Sequence, residues 1–387
     1  MGRTKTKKQT KKKAVSETIE PKPIQSASST PSLLALLEKA QSLIVQCDYE
    51  LATRFIQRIL SQHPSNVEAK EMLGVVQLEM ADIDSAKQTF LSLLPPNADA
   101  PSSPPPSAHL YLAQISVEDP RLALQHYQAA VELLLAQLKG KERTGDQVFN
   151  DDEIEVKSNI VRALIGQVEI WMDPSYDLCF EPQAEKTCEE LLETALKVDP
   201  NNAEALQSLA SVRMSQQRPE DAKVCLEQSW SSWKDLDLDD PKVPPIPARL
   251  GLVKLFLELS LYTPALLVLH GVMTADDEEV EAWYLEGWCY FMMAEQAHEN
   301  GGMLDDLSWQ ELAKDARDRL ETCQLLHIRQ EHPDKPILEH VHELIANLDG
   351  MGIKSSSLDD VEDDGEDGEW VDDDSEGEGE DEDVDMS

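Results

Sequence analysis

The stretch that decides the fold is LLALLEKAQSLIVQCDYELATRFIQRILSQHPSN, residues 33–66, which is followed at once by VEAKEMLGVVQLEMADIDSAKQTF, residues 67–90. The two segments share a period of 34 residues, with small side chains at repeat positions 8 and 20. Small residues there let two antiparallel helices approach closely, and larger residues fill the space between neighbouring hairpins. Pro64, at position 32, stops the second helix of the first repeat. Positions 8 and 20 hold Ala40 and Ala52 in the first repeat, then Gly74 and Ala86 in the second.

The same frame returns later in the chain, with Ala222 and Ala265 at position 20 of two further repeats. The last repeat begins at Val280 and has Trp283, Gly287 and Tyr290 at positions 4, 8 and 11. These residues match the tetratricopeptide pattern, in which a tryptophan, a glycine and a tyrosine stand at these positions. The sequence therefore predicts an all-α, tetratricopeptide-type α-solenoid of about seven irregular helical hairpins.

Three of the repeats depart from the regular pattern. The third, His109 to Leu138, is shortened, since its two alanines are ten residues apart instead of twelve. The fourth carries an insertion from Asp173 to Pro182, and the seventh carries one near Asn300 to Leu307. A final helix over Ile337 to Leu348 is expected to cap the last apolar face, as solenoids require.

Composition divides the chain into three parts: a basic, disordered tail at 1–31, the solenoid at 32–349 and an acidic, disordered tail at 350–387. Stretches rich in proline, or in polar residues and glycine, predict surface loops within the solenoid. These loops are Pro95–Ser107, Lys139–Asp152 and Asp235–Pro247.

The charge balance is strongly acidic, with 34 Lys and Arg against 75 Asp and Glu and a net charge of -41 over 387 residues. Such a balance argues against direct binding to nucleic acid, because phosphates are neutralised by basic surfaces. The first thirteen residues hold seven bases and no acid, whereas 18 acids and no base follow Lys354. The remaining middle part is still acidic, so the folded body is expected to attract a strongly basic partner.

No signature of catalysis or cofactor binding stands out. The chain has no phosphate-binding loop, no dinucleotide fingerprint, no zinc-protease motif and no nucleophile elbow. His340 and His342 are two residues apart on the final helix, so they face different sides and are interpreted as surface histidines rather than metal ligands. We expect a protein that is not an enzyme and that holds neither a metal nor another cofactor.

Six cysteines are scattered along the chain without a metal-binding spacing. They permit either three disulfides or reduced core thiols, and the lack of a secretory apolar segment after the basic start favours thiols in the cytoplasm or nucleus. The most apolar stretch, Gly251 to Met273, contains Lys254, Glu258 and Pro264, and it is interpreted as packed helices rather than a membrane span.

The first helices of the hairpins are predicted to line a concave groove, and acidic residues recur on them at groove positions. These acids would bind a basic client, although they could equally form an ordinary solvated face. The predicted groove acids are Glu68, Glu71, Glu79, Glu118, Glu204, Glu258 and Glu281.

Tyr284 and Trp288 stand at positions 5 and 9 of the last repeat, one turn apart, and are predicted to form an aromatic anchor at the end of the groove. Lysine and arginine side chains would stack on such rings. The alternative is that this cluster belongs to the core between repeats.

Both termini carry candidate signals. The basic run contains Lys7, Lys8, Lys11, Lys12 and Lys13, which fit a nuclear-localisation signal or, alternatively, a solubilising tail. The acidic tail is interpreted either as a polyanion that imitates RNA for a basic client or as a device for solubility.

Two blocks are more specific than the repeats: EAWYLEGWCYFMMAE at Glu281–Glu295 and GEWVDDDSEGEGED at Gly368–Asp381. With the basic start and the irregular repeats, they make the chain resemble the fungal assembly chaperones of large-subunit ribosomal protein four over nearly its full length. The resemblance implies capture of that newly made protein through its basic internal loop, protection from aggregation and escort to pre-60S particles in the nucleus.

The partners expected from this resemblance are the basic ribosomal protein and nuclear import factors. No direct contact with nucleic acid or membrane is expected. The chaperone itself is expected to be a monomer. Without the resemblance, the same acidic repeats would also suit a histone chaperone or a scaffold subunit of a larger complex.

Overall fold

The structure, a computed structural model, describes residues 32–144 and 151–355 of the chain. Within these residues the chain forms fifteen α-helices and one two-stranded ladder of two residues a strand. The helices follow one another as seven hairpins and a final single helix, which confirms the predicted all-α solenoid. The chain divides into two compact units, one up to Ala108 and one from His109 onward.

The first unit contains two complete hairpins. Each of the four helices of these hairpins begins where a short polar side chain accepts a hydrogen bond from the backbone, such as the Asn66 side chain from the Ala69 N–H at 2.7 Å. The helices are α1 (Leu33–Val45), α2 (Tyr49–Gln62), α3 (Val67–Glu79) and α4 (Ile83–Leu91), and α5 (Pro106–Ile115) begins before the end of this unit.

The second unit completes α5 and holds the remaining hairpins. A single turn of 3-10 helix, Asp177–Phe180, lies in the fourth repeat's insertion, and the antiparallel strands β1 (Met303–Leu304) and β2 (Leu307–Ser308) form the seventh's. The helices are α6 (Pro120–Thr144), α7 (Asp151–Met172), α8 (Ala184–Val198), α9 (Ala203–Ser215), α10 (Pro219–Ser231), α11 (Ile246–Glu258), α12 (Tyr262–Ala275), α13 (Val280–Glu299), α14 (Trp309–Arg329) and α15 (Lys335–Gly350).

One predicted loop differs from the structure. Residues 139–144, which were expected to be a polar surface loop, continue α6, and α7 already begins at Asp151. Helix α6 is long because buried apolar residues continue at helical spacing through Val131, Leu134 and Leu138. The lysines that follow are good helix formers and let the helix continue.

The helices pack in the predicted frame. The alanines at position 20, Ala52, Ala86, Ala222 and Ala265, are all fully buried at 0 % exposure. Gly287, at position 8, lies so close to α14 that an added Cβ would stand 2.8 Å from the Cγ of Leu320. In the second unit the first helices of successive hairpins contact one another in the order α7, α9, α11, α13, and they form one continuous layer.

The turns inside the hairpins share one backbone feature. Cys47, Ala81, Gln217 and Ser260 all stand at repeat position 15, and each has a positive φ between 55° and 60°. This left-handed backbone conformation is energetically unfavourable for residues that have a Cβ. The common turn conformation explains how four different sequences close their hairpins in the same way.

The last helix caps the apolar end of the second unit. Val341, Leu344 and Leu348 of α15 are buried against α13 and α14. The packed segment continues past the predicted end of the solenoid at residue 349. Ile353 is buried, and its carbonyl accepts a 2.6 Å hydrogen bond from the Arg317 guanidinium.

Candidate functional site

The acidic α3 face consists of Glu68, Glu71 and Glu79 in the first unit. Their spacing on α3 places them along one side of that helix. Glu68 and Glu79 are exposed, and Glu79 accepts a 3.1 Å hydrogen bond from the Tyr49 hydroxyl. Glu71 is half-buried and accepts a hydrogen bond from the Ser107 hydroxyl. Desolvation raises the pKa of Glu71, and the charge of Glu68 raises it further, while the bond from Ser107 opposes both effects.

Three more of the predicted acids lie on the continuous layer of first helices in the second unit. Glu204 is in the first turn of α9 and Glu258 is exposed at the end of α11. Glu281 in the first turn of α13 is already paired, since its carboxylate lies 2.5 Å from the Lys254 ammonium. The acidity of this layer is therefore partly neutralised by its own lysine.

Glu118 does not lie on a first helix, and its placement on the predicted groove face is wrong. Helix α5 ends at Ile115, and Glu118 is exposed in the turn that leads to α6. The helix ends early because the Asp119 carboxylate accepts a 3.0 Å hydrogen bond from the Leu122 N–H and so starts α6 at Pro120.

A cavity of about 210 Å³ opens among α5, α6, α7 and the turn after α7 in the second unit. Carboxylates of Glu169 and Asp173 and rings of Tyr127 and Tyr176 are among its walls, and we call it the Tyr127 cavity. The Tyr176 hydroxyl donates a 2.9 Å hydrogen bond to the Val117 carbonyl, which holds one wall in place.

The two carboxylates of the Tyr127 cavity differ in their environment. Desolvation raises the pKa of Glu169, and the neighbouring charge of Glu204 adds to the rise. Asp173 accepts hydrogen bonds from the Ser175 hydroxyl at 2.6 Å and the Ser175 N–H at 2.8 Å, which lower its pKa. Together with the tyrosine rings, these two acids suit the head of a lysine or arginine side chain.

Glu169 was missed as a site residue, although the sequence contained a signal for it. Counting from Gly166 at position 8, Glu169 stands at position 11, where the first repeat has Leu43 and the last has Tyr290. The signal is a charged residue at a position that normally packs between helices, although the Glu169 side chain itself remains exposed at the cavity wall.

Tyr284 and Trp288 share a face of α13, as their spacing predicted. Their rings are stacked with centroids 5.9 Å apart, and both are half-buried. His340 of α15 contacts both: its Nδ1 is 2.8 Å from the Tyr284 hydroxyl, and its ring stands edge-on to Trp288 at 5.7 Å. Burial raises the pKa of Tyr284 to about 12. His340 is thus part of the aromatic cluster rather than a plain surface histidine.

The cysteines form no disulfide in the structure, and they differ sharply in access to solvent. Cys47 is exposed, whereas Cys188, Cys289 and Cys323 are buried. Burial raises the pKa of Cys289 and of Cys323 to about 12, so both are protonated thiols at neutral pH.

Residues 32–144 and 151–355 contain no group of three histidine, cysteine, aspartate or glutamate side chains that could hold a metal ion. Across the same ranges, no helix combines the length and the apolar character that crossing a membrane requires.

The predicted nuclear-localisation residues, Lys7 to Lys13, and the acidic tail beyond Ser355 lie outside the described residues. Within the described part, the helical hairpins and their acidic first helices define a tetratricopeptide-type solenoid with candidate surfaces for basic peptides.

Comparison with known proteins agrees with this class and narrows it. No protein-family model matches the chain. A protein of Emericella nidulans described as a probable assembly chaperone of rpl4 is 33 % identical over 269 residues, which span 67 % of this chain and 65 % of that protein. A Schizosaccharomyces pombe protein with the same description is 30 % identical over 303 residues, 78 % of this chain and 84 % of that one.

A solved structure of an assembly chaperone of RpL4, Acl4 residues 1–338, superposes with a TM-score of 0.60 at 28 % identity, covering 70 % of this chain and all of that one. The chain belongs to the family of assembly chaperones of rpl4. The proteins of this family that match it are described as chaperones, not as enzymes.

Proposed function

We propose that this chain is a dedicated chaperone of ribosomal protein L4, which it binds before assembly into the large subunit. The observation that carries the proposal is its 30 % identity over 84 % of the Schizosaccharomyces pombe relative, which is described as an assembly chaperone of that protein. The acidic charge of the chain supports the proposal independently. A ribosomal client that binds rRNA phosphates carries a basic surface, which an acidic chaperone attracts.

The acidic α3 face and the Tyr127 cavity are the surfaces on which basic segments of the client bind. Glu68 and Glu79 are exposed to long lysine and arginine side chains, while the Tyr127 cavity accepts the head of one such side chain between Glu169 and Asp173. Binding neutralises the basic segments of the client and so prevents aggregation and contact with unrelated RNA.

The chaperone acts as a monomer and carries its client from the cytoplasm into the nucleus, to pre-60S particles. The basic run from Lys5 to Lys13 supports this, since it has the composition that import factors recognise. Neutralising the five lysines from Lys7 to Lys13 in this run should keep a fluorescent fusion of the chain in the cytoplasm. Light scattering of the purified chain should give the mass of a single copy.

Client binding is tested by co-purification. The full chain is isolated from a fungal cell at low salt, and the proteins that accompany it are identified by mass spectrometry. Ribosomal protein L4 should be the dominant companion and should be released as the salt concentration rises, because exposed charge pairs are screened over about 8 Å at physiological ionic strength. Recovery of histones, or of a stable set of subunits without L4, would contradict the proposal.

A further inference from the structure

A second cavity, of about 330 Å³, lies between the end of α10, the segment that follows it, and the helices α11 and α12. Its walls include Trp233, Arg249 and several aliphatic side chains, and we call it the Arg249 cavity. It is built from the second helices α10 and α12, the first helix α11 and the loop between α10 and α11, and it contains none of the acids proposed to bind the client.

Arg249 is a buried cation that has no ion pair with any residue in 32–144 or 151–355. Only 6 % of its surface is exposed. Its guanidinium donates one long hydrogen bond, 3.4 Å from Nη1 to the Gly271 carbonyl, and its buried Nε has no acceptor among the described residues. Desolvation lowers its pKa.

Trp233, also in the wall of this cavity, has a second donor without a partner among the described residues. Its side chain is 7 % exposed, and in the part of the chain that the structure describes its indole Nε1 finds no acceptor. Leaving a buried donor unpaired destabilises a fold, and leaving a buried charge unpaired does so more strongly. Two such donors in the wall of one cavity indicate that an acceptor with negative charge belongs there.

We propose that the Arg249 cavity is a binding site for a carboxylate side chain of an acidic peptide. The two oxygens of a carboxylate match the fork of the guanidinium and leave a lone pair for the indole N–H. Leu236, Leu238 and Leu267 line the cavity and would contact the methylene groups of a glutamate.

The other charges at the cavity favour a group with a single negative charge. Lys234 lies over the Trp230 ring, 5.1 Å from its centre, and Asp235 follows it in the wall. The charges of Lys234 and Asp235 offset each other, so Arg249 supplies the net positive charge. A phosphate group with two negative charges is disfavoured, because Arg249 balances only one of them and the Asp235 carboxylate repels the other.

An acidic peptide could reach this cavity from two sources. The chain itself carries 18 acidic residues after Lys354, among them EDGEWVDDDSE at 366–376. The other source is an acidic segment of a different protein. The carboxylate chemistry is the same for both sources, and binding to the unaltered chain distinguishes them.

The test follows the Arg249 Nε–H and Trp233 Nε1–H signals by NMR in a full-length chain whose acids at 366–376 are all changed to the corresponding amides. The probe is a synthetic peptide of sequence EDGEWVDDDSE, and the matched control is its amide counterpart, QNGQWVNNNSQ. The acidic peptide should move both signals until they saturate, and the control should leave them in place.

Two variants in the same background assign the binding to the cavity. Arg249→Met and Trp233→Phe should each weaken binding of the acidic peptide, the first by about tenfold or more because a charged hydrogen bond is lost. Arg121→Met removes an exposed arginine elsewhere in the unit, where it pairs with Glu181, and should leave binding unchanged. Circular dichroism checks that each variant is folded. If Arg249→Met does not fold, Trp233→Phe still tests the site, because it removes the indole N–H but keeps an aromatic ring in the cavity wall.

The unaltered chain identifies the source. If its own 366–376 segment occupies the cavity, both signals already stand at the bound position and added peptide has little effect. If the occupant comes from another protein, the two chains give the same signals and bind the added peptide equally. The proposal is overturned if the acidic peptide moves the signals no more than its amide control does. It is also overturned if the peptide binds equally well after both cavity substitutions. Either result means that ordered water, and not a carboxylate, satisfies the two donors.

Discussion

Gly287 lets the two helices of the last hairpin lie against each other. A Cβ at this position would stand 2.8 Å and 2.9 Å from side-chain atoms of Leu320 and 3.2 Å from its backbone nitrogen. Gly287→Ala should therefore lower the free energy of unfolding by about 1–3 kcal/mol, because the backbone of α14 has to move. A urea melt measures the loss.

The matched control for this change is Gly251→Ala on α11. There the added methyl would meet only the Gln207 amide oxygen at 4.0 Å. The same substitution should then be neutral or stabilising by up to about 1 kcal/mol, as expected for alanine in a helix. Equal losses at both positions would contradict close packing at Gly287.

Ala81 closes its hairpin with a φ of 60°, a conformation that is unfavourable for a residue with a Cβ. Ala81→Gly should raise the free energy of unfolding by a few tenths to about 1 kcal/mol, since the lost strain outweighs the greater freedom of the unfolded chain. The reverse sign is expected for Ala346→Gly at an exposed position inside α15, with a loss of about 1 kcal/mol. Urea melts of both variants check the signs.

Glu169 should make client binding depend on pH. Desolvation and the charge of Glu204 raise its pKa above the usual 4.5, and a bound lysine or arginine would lower that pKa again. Binding therefore releases a proton wherever the free carboxyl is still protonated. Affinity for a basic peptide of the client should therefore increase as the pH rises above 4.5 and become constant once Glu169 is ionised in the free chain. Calorimetry over this range measures the slope.

Glu169→Gln should reduce that slope, because the amide has no proton to release. Glu258→Gln, on a different helix and outside the Tyr127 cavity, serves as the control and should retain it. If both variants keep the full pH dependence, no basic side chain binds beside Glu169.

The acidic α3 face acts as one element, since its three carboxylates lie along one side of a single helix. Changing Glu68, Glu71 and Glu79 to lysine should weaken client binding by several kcal/mol, although single exposed pairs contribute only about 0.2–1 kcal/mol. Fluorescence anisotropy with a labelled basic peptide measures the affinity, and circular dichroism confirms the helix content.

A control with the same change in net charge distinguishes a local surface from a general attraction. Glu38, Glu50 and Asp84 are exposed on α1, α2 and α4 of the same unit. If their replacement by lysine weakens binding as much as the α3 variant does, the client responds to total charge and α3 is not a specific surface.

The last hairpin offers an aromatic anchor that α15 partly covers. Trp288 is half-buried between Tyr284 and His340. Trp288→Ala should reduce client binding by about 2 kcal/mol, as for an anchor residue, with a small change in melting temperature. Trp309→Ala, at another half-buried tryptophan of this hairpin, should lower the melting temperature and leave binding intact. A stability loss of about 3–5 kcal/mol for Trp288→Ala, with normal binding, would instead identify it as core.

The repeat frame could be predicted because it depends on residue size at fixed spacing. Alanines at position 20 are buried, and Gly287 contacts the facing helix, as the 34-residue period required. The ends of the helices were harder to predict, since a single local hydrogen bond can decide where a helix ends. The Asp119 carboxylate starts α6 and so ends the third repeat's first helix early, which leaves Glu118 outside that helix.

The two cavities could not be derived from the repeat because each depends on a residue that departs from it. Arg249 stands at position 4, where the last repeat has Trp283, and Glu169 stands at the packing position 11. The loop that brings Trp233 to Arg249 has no counterpart in the regular repeats, so its path was not encoded in any periodic pattern. Charged residues at packing positions are the signal to look for in related chains.

The contrast between the exposed Cys47 and the buried thiols of the last hairpin gives the protein two built-in reporters. Cys47, at the tip of the first hairpin, should react at once with a maleimide dye and so carry a label near α3 without any engineering. Cys289 and Cys323 are both at 0 % exposure, so they should react only when α13 and α14 separate. The rate at which they are labelled therefore reports how often that hairpin opens. A slower rate with a basic client peptide bound would show that binding keeps α13 and α14 together.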